Sequence, residues 1–366
     1  MATTSAGNPY VESSDLVANY PATSLALANR LDKYAVNPFA DATARDAAIP
    51  TPVQGQLAQT LDDNKVWRYD GTAWAPFSGA VSAANFTDTA TGNYTDGTGQ
   101  SWKFLTFTGT SSVTIDQAGF CDLLVVAAGG AGGSGGPGGG GGGGGLLYVE
   151  NAYLSAATHV VTVGAGGSAA PVQGNYGFHT GNNGNASRIA DYYSPGGAGG
   201  AVPSIAISGN SITGTDGQNG GSGSGGSGKD AGNPVLVGGS GAVGIGSDGG
   251  GTNAGVAAAA GGGGGAGSGV LGRGGDAGTS ATGGNGGEGA VTTIRNTTIY
   301  MSGGGGGGGT TTPGTGGSGI GGPGSTGATG GAGSPGTGSG GGGSSSATGG
   351  NGGSGGSGTV TIRVKV

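Results

Sequence analysis

Charge is scarce in this chain: 12 Lys+Arg and 19 Asp+Glu in 366 residues, for a net charge of −7. A surface for nucleic-acid phosphates needs clustered Lys and Arg, so no nucleic-acid partner is expected. There is one cysteine, Cys121, which excludes an internal disulfide framework. Its setting, Phe120-Cys121-Asp122-Leu123-Leu124-Val125-Val126, makes it a small buried residue. Histidine occurs twice, at His159 and His179. No Cys/His cluster has zinc-like spacing, so neither a metal nor a cofactor is expected. No apolar run approaches 18 residues, so no membrane insertion is expected. The start, Met1-Ala2-Thr3-Thr4-Ser5-Ala6-Gly7, has neither a basic opening nor an apolar core, so no secretory signal is read there.

Glycine is what the chain has in excess. Of 100 glycines, only nine precede Val126. Beyond it they recur with a period of three, as in Gly129-Gly130-Ala131-Gly132-Gly133-Ser134, Gly283-Gly284-Asn285-Gly286-Gly287-Glu288 and Gly352-Gly353-Ser354-Gly355-Gly356-Ser357. The run from Gly220 to Gly228 keeps the beat with one fault at Ser224. A helix repeats near 3.6 residues and a strand at 2, whereas the left-handed extended helix repeats at 3. With Gly-Gly-X, two of its three edges are bare backbone, and neighbours can approach to hydrogen-bond. The region from about Gly129 to Gly358 is therefore expected to be a sheaf of polyglycine II helices. Apolar segments such as Leu146-Leu147-Tyr148-Val149 and Val360-Thr361-Ile362-Arg363-Val364 separate runs of similar length, which distinguishes it from a flexible linker. A collagen-like register at Gly321, Gly324, Gly327, Gly330, Gly333 and Gly336 fails at Ser318 and Ser339, so more polyglycine II is read there.

The expected fold is mostly β and irregular, in four segments. Residues 1–52 form an anchoring segment with a short helix at 23–34 and a further turn at 43–49. Residues 53–79 form a small β-hairpin module, in which Asp70-Gly71 turns the chain and Trp67 and Trp74 supply the core. Residues 80–128 form a second β module, whose apolar strand Cys121–Ala128 feeds the first glycine run. Strands Leu146–Tyr153 and His159–Val163 are expected to join it. Residues 129–366 form the glycine-rich polyglycine II domain with a closing C-terminal strand that returns to the same sheet.

Phe107-Thr108-Gly109, then Leu124-Val125-Val126-Ala127-Ala128-Gly129-Gly130, and finally Gly358-Thr359-Val360-Thr361-Ile362-Arg363 resemble the glycine-rich domain of phage tail proteins. The front of the chain, with Arg45-Asp46-Ala47-Ala48-Ile49-Pro50 and Tyr69-Asp70-Gly71-Thr72-Ala73-Trp74, is similar to N-terminal regions of minor tail proteins of tailed phages. The sheaf is also similar to that of tip adhesins of T-even-like phages. The resemblance implies a virion tail protein that touches the host surface, usually as a trimer, with other tail proteins bound through its N-terminal segment. Its localisation would be the virion tail, and extracellular after lysis.

No catalytic constellation is present, and Gly-x-Gly-x-x-Gly matches lack the strand–turn–helix setting of a phosphate site. The expectation is a non-enzyme that recognises a host-surface glycan. The alternative is a structural spacer or decoration protein without receptor binding; a cellular ice-binding sheaf is a third reading. Candidate receptor residues lie where the glycine pattern is interrupted: Tyr176, Phe178 and His179, then Tyr192 and Tyr193, and Tyr300. Aromatics there either stack on sugars or clamp the sheaf ends. The front modules bury little apolar surface alone, so a homotrimer is expected to complete their core.

Overall fold

The computed structural model describes residues 2–3, 9–10, 36–62, 65–77, 83–169, 179–205, 212–228, 235–252, 261–266, 273–276, 281–327, 329–345 and 350–366. The expected 23–34 helix lies outside them. The chain divides into two units, Met1–Ser82 and Ala83–Val366.

In the front unit a short ladder joins β1 (Ala2–Thr3) to β2 (Pro9–Tyr10). A four-stranded sheet follows in the order β3 (Asn37–Phe39), β4 (Leu57–Thr60), β5 (Lys65–Tyr69), β6 (Trp74–Pro76). Helix α1 (Ala42–Ala48) stands where a turn was expected at 43–49, and Asp41 caps it: its carboxylate accepts the Ala44 N–H at 2.8 Å. At the β5–β6 hairpin the Asp70 carboxylate accepts the Thr72 and Ala73 N–H groups, and Gly71 takes a φ of +108°. Those bonds, Ala73 first, hold the Asp70 carboxyl below its usual range. The Arg45 guanidinium lies between Trp67 and Trp74, 5.2 and 4.8 Å from their ring centres. The two tryptophans, both half-buried, thus pack around a cation. Since β3 pairs with β4, the sheet spans the segment boundary expected near residue 52.

The second unit opens with β7 (Asn85–Phe86), β8 (Gly92–Thr95), β9 (Ser101–Phe107), β10 (Ser111–Gln117) and β11 (Gly119–Val126). After the first glycine runs come β12 (Leu146–Leu154), β13 (Ala157–Thr162), β14 (Ser187–Ile189) and β15 (Tyr192–Ser194). Short ladders β16 (Ser204–Ile205) with β17 (Ile212–Thr213), and β18 (Ala290–Thr292) with β19 (Ile299–Met301), punctuate the glycine region before β20 (Thr359–Lys365) ends it. One five-stranded sheet has the order β12-β11-β20-β9-β8, the other β15-β14-β13-β10-β7. They face each other across a core in which Leu105, Leu123, Val125, Val360 and Ile362 of the first meet Phe86, Val113, Ile115, Val161 and Ile189 of the second. Cys121 is buried in that core. β20 lies between β11 and β9, so the chain's end closes the unit beside the strand that begins the glycine region. It also joins the segments expected as 80–128 and 129–366 into one body. β13 joins the strands of 80–128 as expected, but through β10 in the second sheet and not beside β11, and there Val161 reaches the core.

Above this sandwich stands the sheaf, formed within a single chain. Its centre is 138–145, eight glycines in succession. Gly138, Gly141 and Gly144 donate to Ser344, Gly341 and Gly338; Gly139, Gly142 and Gly145 donate to Ala201, Ala198 and Pro195; Gly140 and Gly143 donate to Gly262 and Gly265. In return Gly130 and Gly133, Gly305 and Gly308, and Ser222 and Gly225 donate to carbonyls of this same run. Residues three apart share one neighbour, so six helices surround the central one, as a threefold helix requires. A Cβ on Gly140, Gly141 or Gly142 would overlap a carbonyl oxygen of a different neighbour in each case. Every residue from 121 to 146 is buried.

Peripheral helices show the expected edges. Gly164 and Gly167 are buried while Ala165 and Ser168 are exposed, and Asn285 and Glu288 point out between buried glycines. The fault at Ser224 has a purpose: its hydroxyl accepts the Gln218 N–H at 2.8 Å. Ser134 and Ser344 likewise accept the N–H groups of Gly352 and Gly135.

Two measurements test this packing. A Cβ on Gly352 would overlap the Gly132 carbonyl, whereas Ser354 is exposed. Gly352→Val is expected to cost at least about 3 kcal/mol in urea denaturation, and Ser354→Ala no more than about 0.5 kcal/mol; equal losses would contradict the edge assignment. Burial first, and then the adjacent Asp122 charge, pushes the Cys121 thiol up to about 12. The native protein should therefore resist thiol reagents at pH 8. The unfolded thiol ionises from about pH 9 while the folded one does not, so stability falls as pH rises beyond that point. Rapid native labelling would show that this core is open.

Candidate functional site

The structure separates the candidate residues between the two ends of the sheaf. His179 lies at the end far from the sandwich. Its backbone exchanges hydrogen bonds with Ser134, at 2.9 and 3.1 Å, just before the first run turns at Gly135–Pro137. Ser134 is eight residues beyond Val126, roughly 25 Å at about 3.1 Å per residue. Tyr176 and Phe178 lie outside the described residues, in the segment that connects Ala169 with His179.

Tyr192 and Tyr193 are at the sandwich, in the edge strand β15. Tyr192 packs against the core. Its hydroxyl meets the open edge of β12, taking the Tyr153 N–H at 3.1 Å and facing the Tyr153 carbonyl at 3.5 Å. That occupies backbone groups which an incoming strand would otherwise use. Tyr193, by contrast, is 55% exposed. Tyr300 is also near the sandwich, 46% exposed and opposite Val291 on the β18–β19 hairpin, whose Ile294 and Met301 pack on Leu124, Val126 and Leu146. Tyr192 thus meets Tyr153, Tyr193 follows it in β15 on the exposed side, and His179 stands apart.

A polar cluster sits on the outer face of the first sheet. Asp122 and Arg363 are cross-strand partners in the β11–β20 register, and their side chains are almost enclosed. Arg363 Nε donates to Asp122 at 3.0 Å and a second nitrogen makes a short bond to the same oxygen. That second nitrogen also donates to Tyr148 at 3.3 Å, the third donates to Tyr94 at 2.7 Å, and the guanidinium covers Trp102 at 4.2 Å. The other Asp122 oxygen accepts the N–H of Asn151, which adopts a φ of +57° at a bulge in β12. Burial opposes the Arg363 charge, but the hydrogen bonds it donates to Asp122 and Tyr94 outweigh burial, and the guanidinium is held above its ordinary value. Burial likewise raises Tyr148. The one sequence signal for this cluster was a single aspartate inside an apolar strand, facing an arginine in the closing strand. Every group has its partner within the cluster, so its evident work is to fix the register of β20.

Among the described residues, no three His, Cys, Asp or Glu side chains group to hold a metal ion. No described helix is long and apolar enough to cross a membrane. The glycine-rich domain family matches residues 106–365. The chain belongs to that family, which takes in the second unit from within β9 to the closing strand. No curated protein matches the chain.

Removing one member of the Asp122–Arg363 pair leaves a buried charge alone. Asp122→Ala is expected to cost about 3 kcal/mol or more, and Asp122→Leu combined with Arg363→Met less than that. Urea denaturation of both variants checks it; additive losses would show that the two residues act independently.

Proposed function

We propose that this chain is a host-recognition component of a tailed-phage virion, a tail fibre or minor tail protein whose glycine-rich unit serves as the adhesin. The supporting observation is the direction of the sheaf. Helices that follow one another in the chain run in opposite directions, so alternate connections come to one end, opposite the sandwich. They include the turn at 135–137 and the short β16–β17 ladder, and His179 lies there too. Loops on short, stiff stems lose little entropy when a ligand binds, and their sequences can change without disturbing the sheaf. In the chain, residues 170–178, with Tyr176 and Phe178, immediately precede His179, and a host-surface glycan is the ligand their aromatic and amide side chains would suit.

The front unit is the attachment part in this reading. Among its described residues Ala58 is the sole buried apolar side chain, beside Arg45, Gln56 and Thr60, and Leu61 and Phe77 are exposed. So poor an interior supports assembly as a homotrimer, or against another tail protein. The spacer reading keeps one specific support: Tyr192 has its hydroxyl engaged by Tyr153 and is a clamp.

Purified full-length protein is expected to compete with virions that carry it for adsorption to host cells, and to run at three times its chain mass in light scattering. Tyr176→Ala with Phe178→Ala should remove the competition and leave the melting temperature nearly unchanged. Tyr193→Ala, at the sandwich end, should compete normally. Undiminished adsorption at saturating protein would favour the spacer, and a monomeric mass would reject the trimer.

A further inference from the structure

Asparagine followed by glycine is the least durable step in an ordinary chain. The glycine nitrogen attacks the side-chain carbonyl carbon, a C–N bond forms, and the amide nitrogen leaves as ammonia. Water then opens the cyclic imide at either carbonyl, giving aspartate or its backbone-shifted isomer. Four such steps occur here: Asn183-Gly184, Asn219-Gly220, Asn285-Gly286 and Asn351-Gly352. All lie in the glycine region, which a flexible reading would make highly vulnerable.

At three of these steps the structure places both reacting groups in hydrogen bonds to neighbouring helices, and at the fourth the glycine N–H. Asn219 Oδ1 accepts the Ser240 N–H at 2.7 Å, and the following Gly220 N–H donates to the carbonyl of the same residue at 3.2 Å. Asn285 and Gly286 hold both backbone groups of Thr315 in the same way, at 2.9 and 2.8 Å. Asn183 takes the Gly199 N–H at 2.7 Å while Gly184 donates to Gly197 at 2.9 Å. At the fourth step Gly352 donates to the Ser134 hydroxyl at 2.8 Å. Aspartates make the same clamp: Asp216 and Gly217 hold the two backbone groups of Val237, and Asp248 with Gly249 holds Gly241 and Gly239. The clamp therefore needs a side-chain oxygen acceptor and a following N–H, not the amide itself.

We infer that these four Asn–Gly steps are latent deamidation sites that the sheaf holds closed. Ring closure needs the glycine nitrogen to rotate toward the side-chain carbon. In a threefold extended helix ψ is near +145° and the N–H points instead to the adjacent helix. At the first three steps cyclisation must break the side-chain bond and the N–H bond together, and at the fourth the Gly352 N–H bond, so it waits for the helix to leave the sheaf. Simple conversion to aspartate preserves the clamp. The backbone-shifted isomer adds an atom to the main chain and destroys the period of three. Opening the sheaf for long thus makes its loss irreversible.

Peptide mapping by mass spectrometry tests this on the full chain, incubated at pH 7.4 and 37 °C with and without denaturant. Deamidation at all four steps is expected to be at least tenfold slower in the native protein; rates within twofold of each other would overturn the inference. Asn285→Asp provides a second measurement. It should melt with the parent protein, while Asn285→Ala melts lower; equal losses would show that the oxygen contact to Thr315 is not what holds the step.

Discussion

A backbone whose every N–H and C=O must find a partner in another backbone is the constraint on which this protein rests. Around 138–145 that demand is met on all sides by six helices, and the geometry leaves no room for a Cβ. Glycine pays the largest conformational entropy of any residue on ordering. An isolated helix of this kind would only exchange water bonds for nothing. Here each ordered residue gains bonds in a water-free interior, and each helix serves several neighbours, so order in one supports order in all. The small residues admitted inside, such as Ala128, Ala198 and Ser222, are those a close-packed lattice tolerates.

Such a lattice has no hydrocarbon core, and the sandwich supplies one at its base. β11 passes from that core straight into the first glycine run, and β20 returns from the last run to lie beside β11. The register between them is marked by the Asp122–Arg363 pair, and a one-residue slip of β20 would turn Arg363 toward the core and leave Asp122 unpaired. At the sheaf's rim the problem is reversed. Outer helices have backbone groups without a further neighbour, and the Asx–Gly clamps and serine hydroxyls satisfy them. These polar side chains do for the sheaf what edge devices do for a sheet.

Much of this was legible in the residues. The period of three gave the helix type, and the X of Gly-Gly-X gave the outward edge, as Ser354 and Glu288 bear out. The apolar run at Cys121–Val126 and the closing Val360–Val364 gave two adjacent strands. What the pattern did not reveal is how many neighbours each helix has. In hindsight the length of an unbroken glycine run reports it, since Gly138–Gly145 and Gly303–Gly309 are both enclosed. The sheet to which β13 belongs depends on a choice between two apolar surfaces that alternation alone cannot make. The aromatic residues were read as one group because they are close in sequence. An antiparallel sheaf sends the chain from one end to the other within about ten residues, so His179 and Tyr193 part company.

Amide hydrogen exchange followed along the glycine region is the most direct test of the sheaf. The account predicts that the N–H groups of Gly138–Gly145 exchange slowest of all glycines, only with global unfolding, and that protection falls toward 164–168 and 282–289 at the rim. Exchange in 138–145 as fast as in an unstructured peptide would contradict it.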